Sequence, residues 1–198
     1  MSLFRRWLEP DPADTTHAAD GPRPAPDVRT SASVASDETA TVRRIVARLE
    51  AMPPDQAKYL AGFAYILGRA AQADLDISDA ETKVMERFGV ELGGLDEAHA
   101  VLVVEMAKVQ AREQGATEDY VVTREFGQRS TREQKLRLLH CCFAVGAADE
   151  TINAEEAGVV NEIARELDVS RDDLNAVRAE FHENLSAIQA MRRMAAEA

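Results

Sequence analysis

Cysteine, basic charge and long apolar runs are all scarce in this chain of 198 residues. Its only cysteines, Cys141 and Cys142, are adjacent, which excludes a disulfide framework or a zinc knuckle and indicates a reducing compartment. The formal net charge is −12, and this argues against a nucleic-acid surface because such surfaces need clustered Lys and Arg. No run of residues reaches the ~18 apolar residues of a membrane span.

Signals for targeting and for catalysis are also missing. No apolar stretch follows Arg5 and Arg6, as it would in a secretory signal, so we expect a cytoplasmic protein. The chain has no Gly-rich phosphate loop, no HExxH and no GxSxG motif. His140 stands beside the two cysteines, but neighbouring residues on a helix point ~100° apart and cannot converge on one atom. We therefore expect buried thiols, a core histidine and no enzyme activity.

The N-terminal segment differs in composition from the rest of the chain. Residues 10–38 hold five of the seven prolines and few large aliphatic side chains, which predicts a disordered tail over 1–40. Residues 1–9 would form a short amphipathic peptide, or a frayed terminus, since so few residues cannot hold a helix alone in water. Its apolar face would dock to a protein partner or a membrane surface through Leu3, Phe4, Trp7 and Leu8.

From about residue 41 onward, apolar residues recur with helical spacing and no segment alternates like a strand. The pattern predicts an all-α domain over 41–186, a compact bundle of seven to eight helices, with 187–198 as a helix end or tail. Segments 59–73 and 136–148 are apolar or small almost all round, which is typical of buried helices. We expect these two helices at the centre. Ser130 and Glu133 have capping-box spacing and predict a helix start.

Two stretches of the sequence are nearly alike. ADLDISDAE at 73–81 and ADETINAEE at 148–156 align at an offset of 75 residues, which pairs Asp74 with Asp149 and Glu81 with Glu156. In each copy a buried helix precedes the aspartate and an amphipathic helix follows it. The fold is thus expected to contain two repeated helix–turn–helix units.

The acidic residues of the two turns have two possible roles. Glu81 and Glu156 stand at capping-box spacing from Ser78 and Asn153. The two aspartates follow the C-terminal ends of helices, where the macrodipole disfavours a carboxylate, so each must gain something locally. Acceptance of backbone N–H groups is one possibility. The other is a shared Ca²⁺ or Mg²⁺ ion, because paired carboxylates suit such cations, with Asp76 as a further ligand in the first copy.

The motif Ala-Asp-x-x-Ile-x-x-x-Glu after a buried helix resembles the signature of the TerB-like family, which includes the tellurite-resistance protein TerB and the N-terminal domain of the DjlA co-chaperone. The resemblance implies an all-helical, internally repeated, acidic cytoplasmic domain. It also implies links to metal ions, stress response and protein interaction, without an established catalytic activity. Carried over to this chain, the acidic family positions are Asp74, Glu81, Asp149 and Glu156.

The usual family form is Ala-Asp-Gly, but this chain has Leu75 and Glu150 in place of the Gly. Gly takes a left-handed backbone at low cost, so its absence weighs against the family's turn geometry and against a metal site built on it. No His-Pro-Asp tripeptide occurs, and a J-domain activity is therefore not supported.

Two functional hypotheses follow. The first is a non-enzymatic interaction module that binds protein partners in a stress or envelope-related response, with no nucleic acid and at most peripheral membrane contact. The alternative is a divalent-cation binding protein, whose ligands would be Asp74, Asp76, Glu81, Asp149 and Glu156.

Overall fold

Nine α-helices follow one another in the part of the chain that the computed structural model describes, which is residues 32–71, 79–91, 93–112, 116–148 and 150–196. In these ranges the only strand-like pairing is an isolated parallel bridge between Ile152 and Leu185. The all-α bundle is confirmed, and the C-terminal residues add a ninth helix. The helices are α1 (Ala32–Glu50), α2 (Pro54–Ala71), α3 (Asp79–Glu91), α4 (Glu97–Arg112), α5 (Ala116–Arg129), α6 (Arg132–Gly146), α7 (Ala154–Glu166), α8 (Arg171–Glu180) and α9 (Ser186–Ala196), with a 3-10 turn at His182–Asn184.

Helix α1 begins at Ala32, inside the segment 1–40 that composition predicts to be a disordered tail. The prediction is wrong for these last residues, because 32–40 contain no proline and three alanines, which favour a helix even where large aliphatic residues are few. Ile45 and Leu49 are fully buried and fix the helix to the core.

Helix α2 lies at the centre of the bundle. Pro54 and Asp55 suit its first turn, where backbone N–H groups lack partners and the dipole favours a negative charge. Large side chains on several sides of the helix, including Phe63, Ile66 and Leu67, are buried. The helix packs most extensively against α4 and also against α5 and α6. The predicted buried helix is thus confirmed for the described part of 59–73.

Helix α6 is the second buried helix, as predicted. It contacts α2, α3, α7 and α8. Most of its apolar side chains are buried; these are Leu138, Leu139, Cys141, Cys142, Phe143 and Ala144. Each central helix therefore contacts outer helices on more than one side, which explains why neither sequence carries a broad polar face.

The start of α6 differs by one residue from the capping prediction. Its N-cap is Thr131, whose Oγ1 accepts from the backbone N–H of Gln134 at 3.2 Å, while Gln134 Oε1 accepts from the N–H of Thr131 at 2.8 Å. Ser130 and Glu133 have the same spacing, but Ser130 N donates to Phe126 O at 3.0 Å and so belongs to the end of α5. The Ser130 hydroxyl therefore does not cap α6.

Helix bounds follow the offset of the sequence repeat. Helices α3 and α7 both have 13 residues, and α3 begins and ends 75 residues before α7. Helix α2 likewise ends 75 residues before α6. Residues 72–78, which hold the first turn, lie outside the described residues, so the likeness of the two turns stays a prediction. Within the described ranges, no helix combines the length and the apolar character needed to cross a bilayer.

Candidate functional site

The second acidic turn, residues 147–153, connects α6 to α7. Ala147 N donates to Phe143 O at 2.9 Å as α6 ends, and Glu150 N donates to Ala147 O at 3.0 Å. Glu150 has φ = +70°, in the left-handed region that Gly adopts most easily. Glu150 thus takes, without Gly, the left-handed backbone that the absence of Gly was expected to disfavour. A side chain in this conformation costs about 1 kcal/mol.

Helix α7 begins with a reciprocal cap, as predicted. Asn153 Oδ1 accepts from the N–H groups of Glu155 at 2.8 Å and Glu156 at 3.0 Å, and Glu156 Oε2 accepts from Asn153 N at 2.7 Å. Ile152, immediately before the cap, is fully buried. In this copy the Glu156 carboxylate thus accepts a backbone N–H at the start of a helix. This is the capping role rather than the cation-binding role.

The C-terminal segment holds the turn from the other side. Ile152 N donates to Asn184 O at 2.7 Å, and Ser186 N donates to Ile152 O at 3.0 Å. The side-chain amides of Asn184 and Gln189 both donate to the Glu150 carbonyl, at 3.2 and 3.0 Å. Sequence reasoning missed these contacts because they join distant segments through single polar residues, which leave no periodic signal. The Glu150 carbonyl therefore accepts from two protein amides.

Most residues of the predicted cation site fall outside what the structure describes. Asp74, Asp76 and Asp149 lie in undescribed positions, and of Glu81 only the backbone, within α3, is described. The predicted docking residues Leu3, Phe4, Trp7 and Leu8 also lie outside the described residues. Among the side chains that the structure does describe, no three or more His, Cys, Asp or Glu are grouped to hold a metal ion.

A second charged centre surrounds Arg69, near the end of α2. The Arg69 side chain is only 11% exposed, and its guanidinium contacts Glu166 of α7 with Nη1–Oε2 and Nη2–Oε1 distances of 2.5 and 3.2 Å. Asp119 of α5 and Glu162 of α7 each approach to 3.6 Å. Sequence reasoning missed this cluster, since residues 59–73 are apolar or small almost all round and predict no polar face.

Neutral groups complete the cluster. Tyr65 OH donates to Asp119 Oδ1 at 2.7 Å, and the buried Thr123 hydroxyl donates to the Asp119 carbonyl at 2.8 Å. Arg69 Nη1 in turn donates to Thr123 Oγ1 at 3.3 Å. Burial works against the Arg69 charge, but the hydrogen bond and the attraction of Glu166, then of the other carboxylates, outweigh it, and the pKa of Arg69 is raised. The guanidinium therefore carries a permanent charge that joins α2, α5 and α7.

Comparison with known families identifies the chain. The family model for tellurite resistance protein TerB matches residues 61–179, more than half of the chain. The chain belongs to the TerB family. The resemblance seen in the repeated motif is thereby confirmed, and the TerB match includes the second acidic turn and Arg69. Neither a curated protein nor a solved structure matches the chain.

The thiols and the imidazole of α6 have structural roles in this TerB protein. Burial raises the pKa of Cys141 to about 12 and also raises that of Cys142, so both remain protonated thiols near neutral pH. His140 has Nδ1 at 2.9 Å from Leu136 O and Nε2 at 2.9 Å from Glu180 Oε1. The predicted buried thiols are confirmed, and His140, partly exposed, links α6 to α8.

Replacing Glu150 by glycine tests whether the left-handed backbone at this position is strained. Glu150→Gly should raise the free energy of unfolding by about 1 kcal/mol, because Gly adopts positive φ without a Cβ clash. Urea denaturation followed by circular dichroism measures the change. The matched control is Glu150→Ala, which removes the same carboxylate but keeps a Cβ and should bring no such gain. Equal stabilisation by both variants would assign the effect to the side-chain charge and contradict backbone strain.

Proposed function

We propose that this TerB-family protein is a non-enzymatic module that binds a protein partner in the cytoplasm, in a stress or envelope-related response. The observation that carries the proposal is the apolar surface of α9. Met191 and Met194 are 53% and 63% exposed at the end of an acidic domain. Two large apolar side chains one helical turn apart are a common form of helix-recognition surface.

The attachment of α9 leaves this surface accessible. The helix contacts the 3-10 turn before it, and Gln189 ties it to the carbonyls of Glu150 and Glu183 at 3.0 and 3.1 Å. No residue of α9 is buried. Methionine side chains are flexible and polarisable, so they adapt to partner surfaces of varied shape. The second acidic turn would then serve to position α9 for binding.

Net charge favours one class of partner. With its net charge of −12, the chain attracts positively charged surfaces over distances of about the Debye length, ~10 Å at 0.1 M salt. We therefore expect the partner to have a basic rim around an apolar contact, and we expect association to weaken with added salt.

The absence of a reaction is part of the proposal. The groups of α6 that most resemble reactive residues are occupied otherwise: Cys141 and Cys142 are buried thiols, and both His140 ring nitrogens face hydrogen-bond acceptors. A nucleophile needs an accessible, activated group, and burial in an apolar core opposes both.

Capture from native lysate tests partner binding. The full chain should recover a specific protein, and Met191→Asp/Met194→Asp should lose it, because two charges in the contact would have to be desolvated. The recovered protein is then purified and titrated against the chain at 0.05 and 0.5 M NaCl, with weaker binding at the higher salt.

The matched control is Val121→Asp, which adds a charge at an apolar position of α5 that is 64% exposed. It should bind as the unmodified chain does. Truncation to residues 10–198 tests the predicted docking peptide. If the Met191→Asp/Met194→Asp variant still binds the partner, the α9 surface is not the binding site. If only the truncated chain loses binding, the contact belongs to residues 1–9.

Binding of a divalent cation is the second candidate function. It is favoured by the left-handed backbone at Glu150, which forms a tight turn between α6 and α7 although no Gly is present. The hydrogen bond from Asn153 N to Glu156 Oε2 counts against it, since that oxygen is already used. If an ion binds, Asp74 and Asp149 are its expected ligands, because carboxylate oxygens suit Ca²⁺ and Mg²⁺.

Calorimetry with Ca²⁺, Mg²⁺ and Mn²⁺ distinguishes the two roles. The architectural role of the acids predicts no saturable heat with any of the three ions. Saturable heat that disappears in Asp74→Ala/Asp149→Ala, but persists in the control Asp172→Ala on α8, would establish cation binding in its place.

A further inference from the structure

A cleft of about 400 Å³ opens where α2, α5 and α6 meet, away from the second acidic turn. This volume lies within the ~300–1,000 Å³ of ordinary small-molecule sites. Its lining comes from the first turns of α2, the end of α5 and the start of α6, namely Asp55, Lys58, Tyr59, Glu125, Phe126, Arg129, Ser130 and Gln134.

Two aromatic rings form the apolar part of the cleft. Tyr59 and Phe126 are stacked, with their centroids 5.4 Å apart and their planes at 27°. Phe126 is buried against Gly62 of α2, where an added Cβ would lie only 2.6 Å from the Phe126 Cδ2. The glycine thus lets the ring approach the α2 backbone, and the ring's position is fixed by close packing. Of the two rings, Tyr59 is the partly exposed one, and its aromatic ring suits contact with a planar ligand.

Ser130 supplies an enclosed hydroxyl with no partner. Its Oγ is inaccessible to solvent and forms no hydrogen bond to any described residue. The reason lies in the capping shift, because Thr131 rather than Ser130 caps α6. An enclosed polar atom without a partner costs about 1–3 kcal/mol, so it needs an explanation, and one explanation is a ligand or a water that reaches it.

Other free groups of the cleft are mainly hydrogen-bond donors. The Lys58 ammonium and the Tyr59 hydroxyl form no hydrogen bond or ion pair with a described residue. Burial, which outweighs the opposing effect of Arg137, raises the pKa of Tyr59 to about 12, so its proton stays in place. The Gln134 amide nitrogen adds a donor, since only its oxygen is used in the cap.

Acceptors are fewer. The Glu125 carboxylate is paired with Arg129 Nε at 2.6 Å, and these two charges offset each other. The carboxylate of the remaining acid, Asp55, is exposed at the start of α2. A donor-rich edge beside an aromatic surface complements acceptor oxygens on a flat apolar body.

We propose that this cleft binds a planar aromatic carboxylate, with the ring against Tyr59, which stacks on the buried Phe126, and the carboxylate beside Lys58. The Ser130 side chain has to rotate to donate to that carboxylate, because its Oγ is enclosed in this structure. The net charge of −12 opposes any anion, but charges farther away than a Debye length are screened at physiological salt. Within the cleft, Arg129 and Glu125 offset each other, and the exposed Asp55 is screened by solvent, which leaves Lys58 as the cation that can meet a carboxylate. This site is independent of the α9 surface.

Titration of the full chain with 2-naphthoate, followed by ¹⁵N–¹H NMR, tests the site. Saturable shifts should concentrate at the amides of Tyr59, Phe126 and Ser130. Lys58→Met and Ser130→Ala should each raise the dissociation constant by roughly fivefold, the factor that one hydrogen bond of ordinary strength supplies. Both changes remove polar groups without enlarging a side chain, so the fold should be retained.

Lys83→Met is the matched control, because it removes the same charge from an exposed position on α3. It should leave the dissociation constant within twofold of that of the unmodified chain. If Lys58→Met and Lys83→Met weaken binding equally, the effect comes from the net charge of the protein, and the proposal is wrong. Shifts scattered over the surface would contradict binding in this cleft. Equally tight binding of 2-naphthylmethylammonium would contradict a preference for carboxylates.

Discussion

The ion cluster at Arg69 is the contact on which the arrangement of the bundle depends. Beyond residue 58, helix α2 is otherwise apolar or small and lies at the centre of the bundle. A guanidinium there is costly to remove from water unless carboxylates meet it with good geometry. The two contacts from Glu166 and the approach of Asp119 supply that geometry. Because Arg69 belongs to the first repeat unit and Glu166 to the second, the cluster fixes one unit against the other. It thereby holds α7 against α2 and α5.

Most of the fold could be predicted from the sequence, because helices are local structures. Apolar periodicity, capping residues and prolines identified the two central helices and the cap at Asn153. The failures were also local in origin. Two capping boxes overlap at Ser130 and Thr131, and the pattern alone could not tell which serves as the cap. The start of α1 was missed because Val34 is the only large aliphatic residue in 32–40, and one such residue shows no helical period.

The sites were harder to predict, because their contacts join distant parts of the chain. The pairing of Ile152 with Asn184 and Ser186, and the Arg69 cluster, depend on tertiary packing that no spacing rule contains. The family itself was predicted correctly from the repeated motif. Glu156 and Glu150 show how the second acidic turn is built here: one oxygen caps a helix, and one carbonyl accepts from two amides.

Urea denaturation of Arg69→Met, alone and together with Glu166→Gln, tests the central claim most directly. Arg69→Met should lower the free energy of unfolding by about 3 kcal/mol, because carboxylates remain near the core without their cation. Adding Glu166→Gln should restore part of that loss, giving a coupling energy above ~1 kcal/mol. Arg132→Met, at an exposed pair with Asp173, should change little. A fully stable Arg69→Met, or strictly additive effects, would contradict the account.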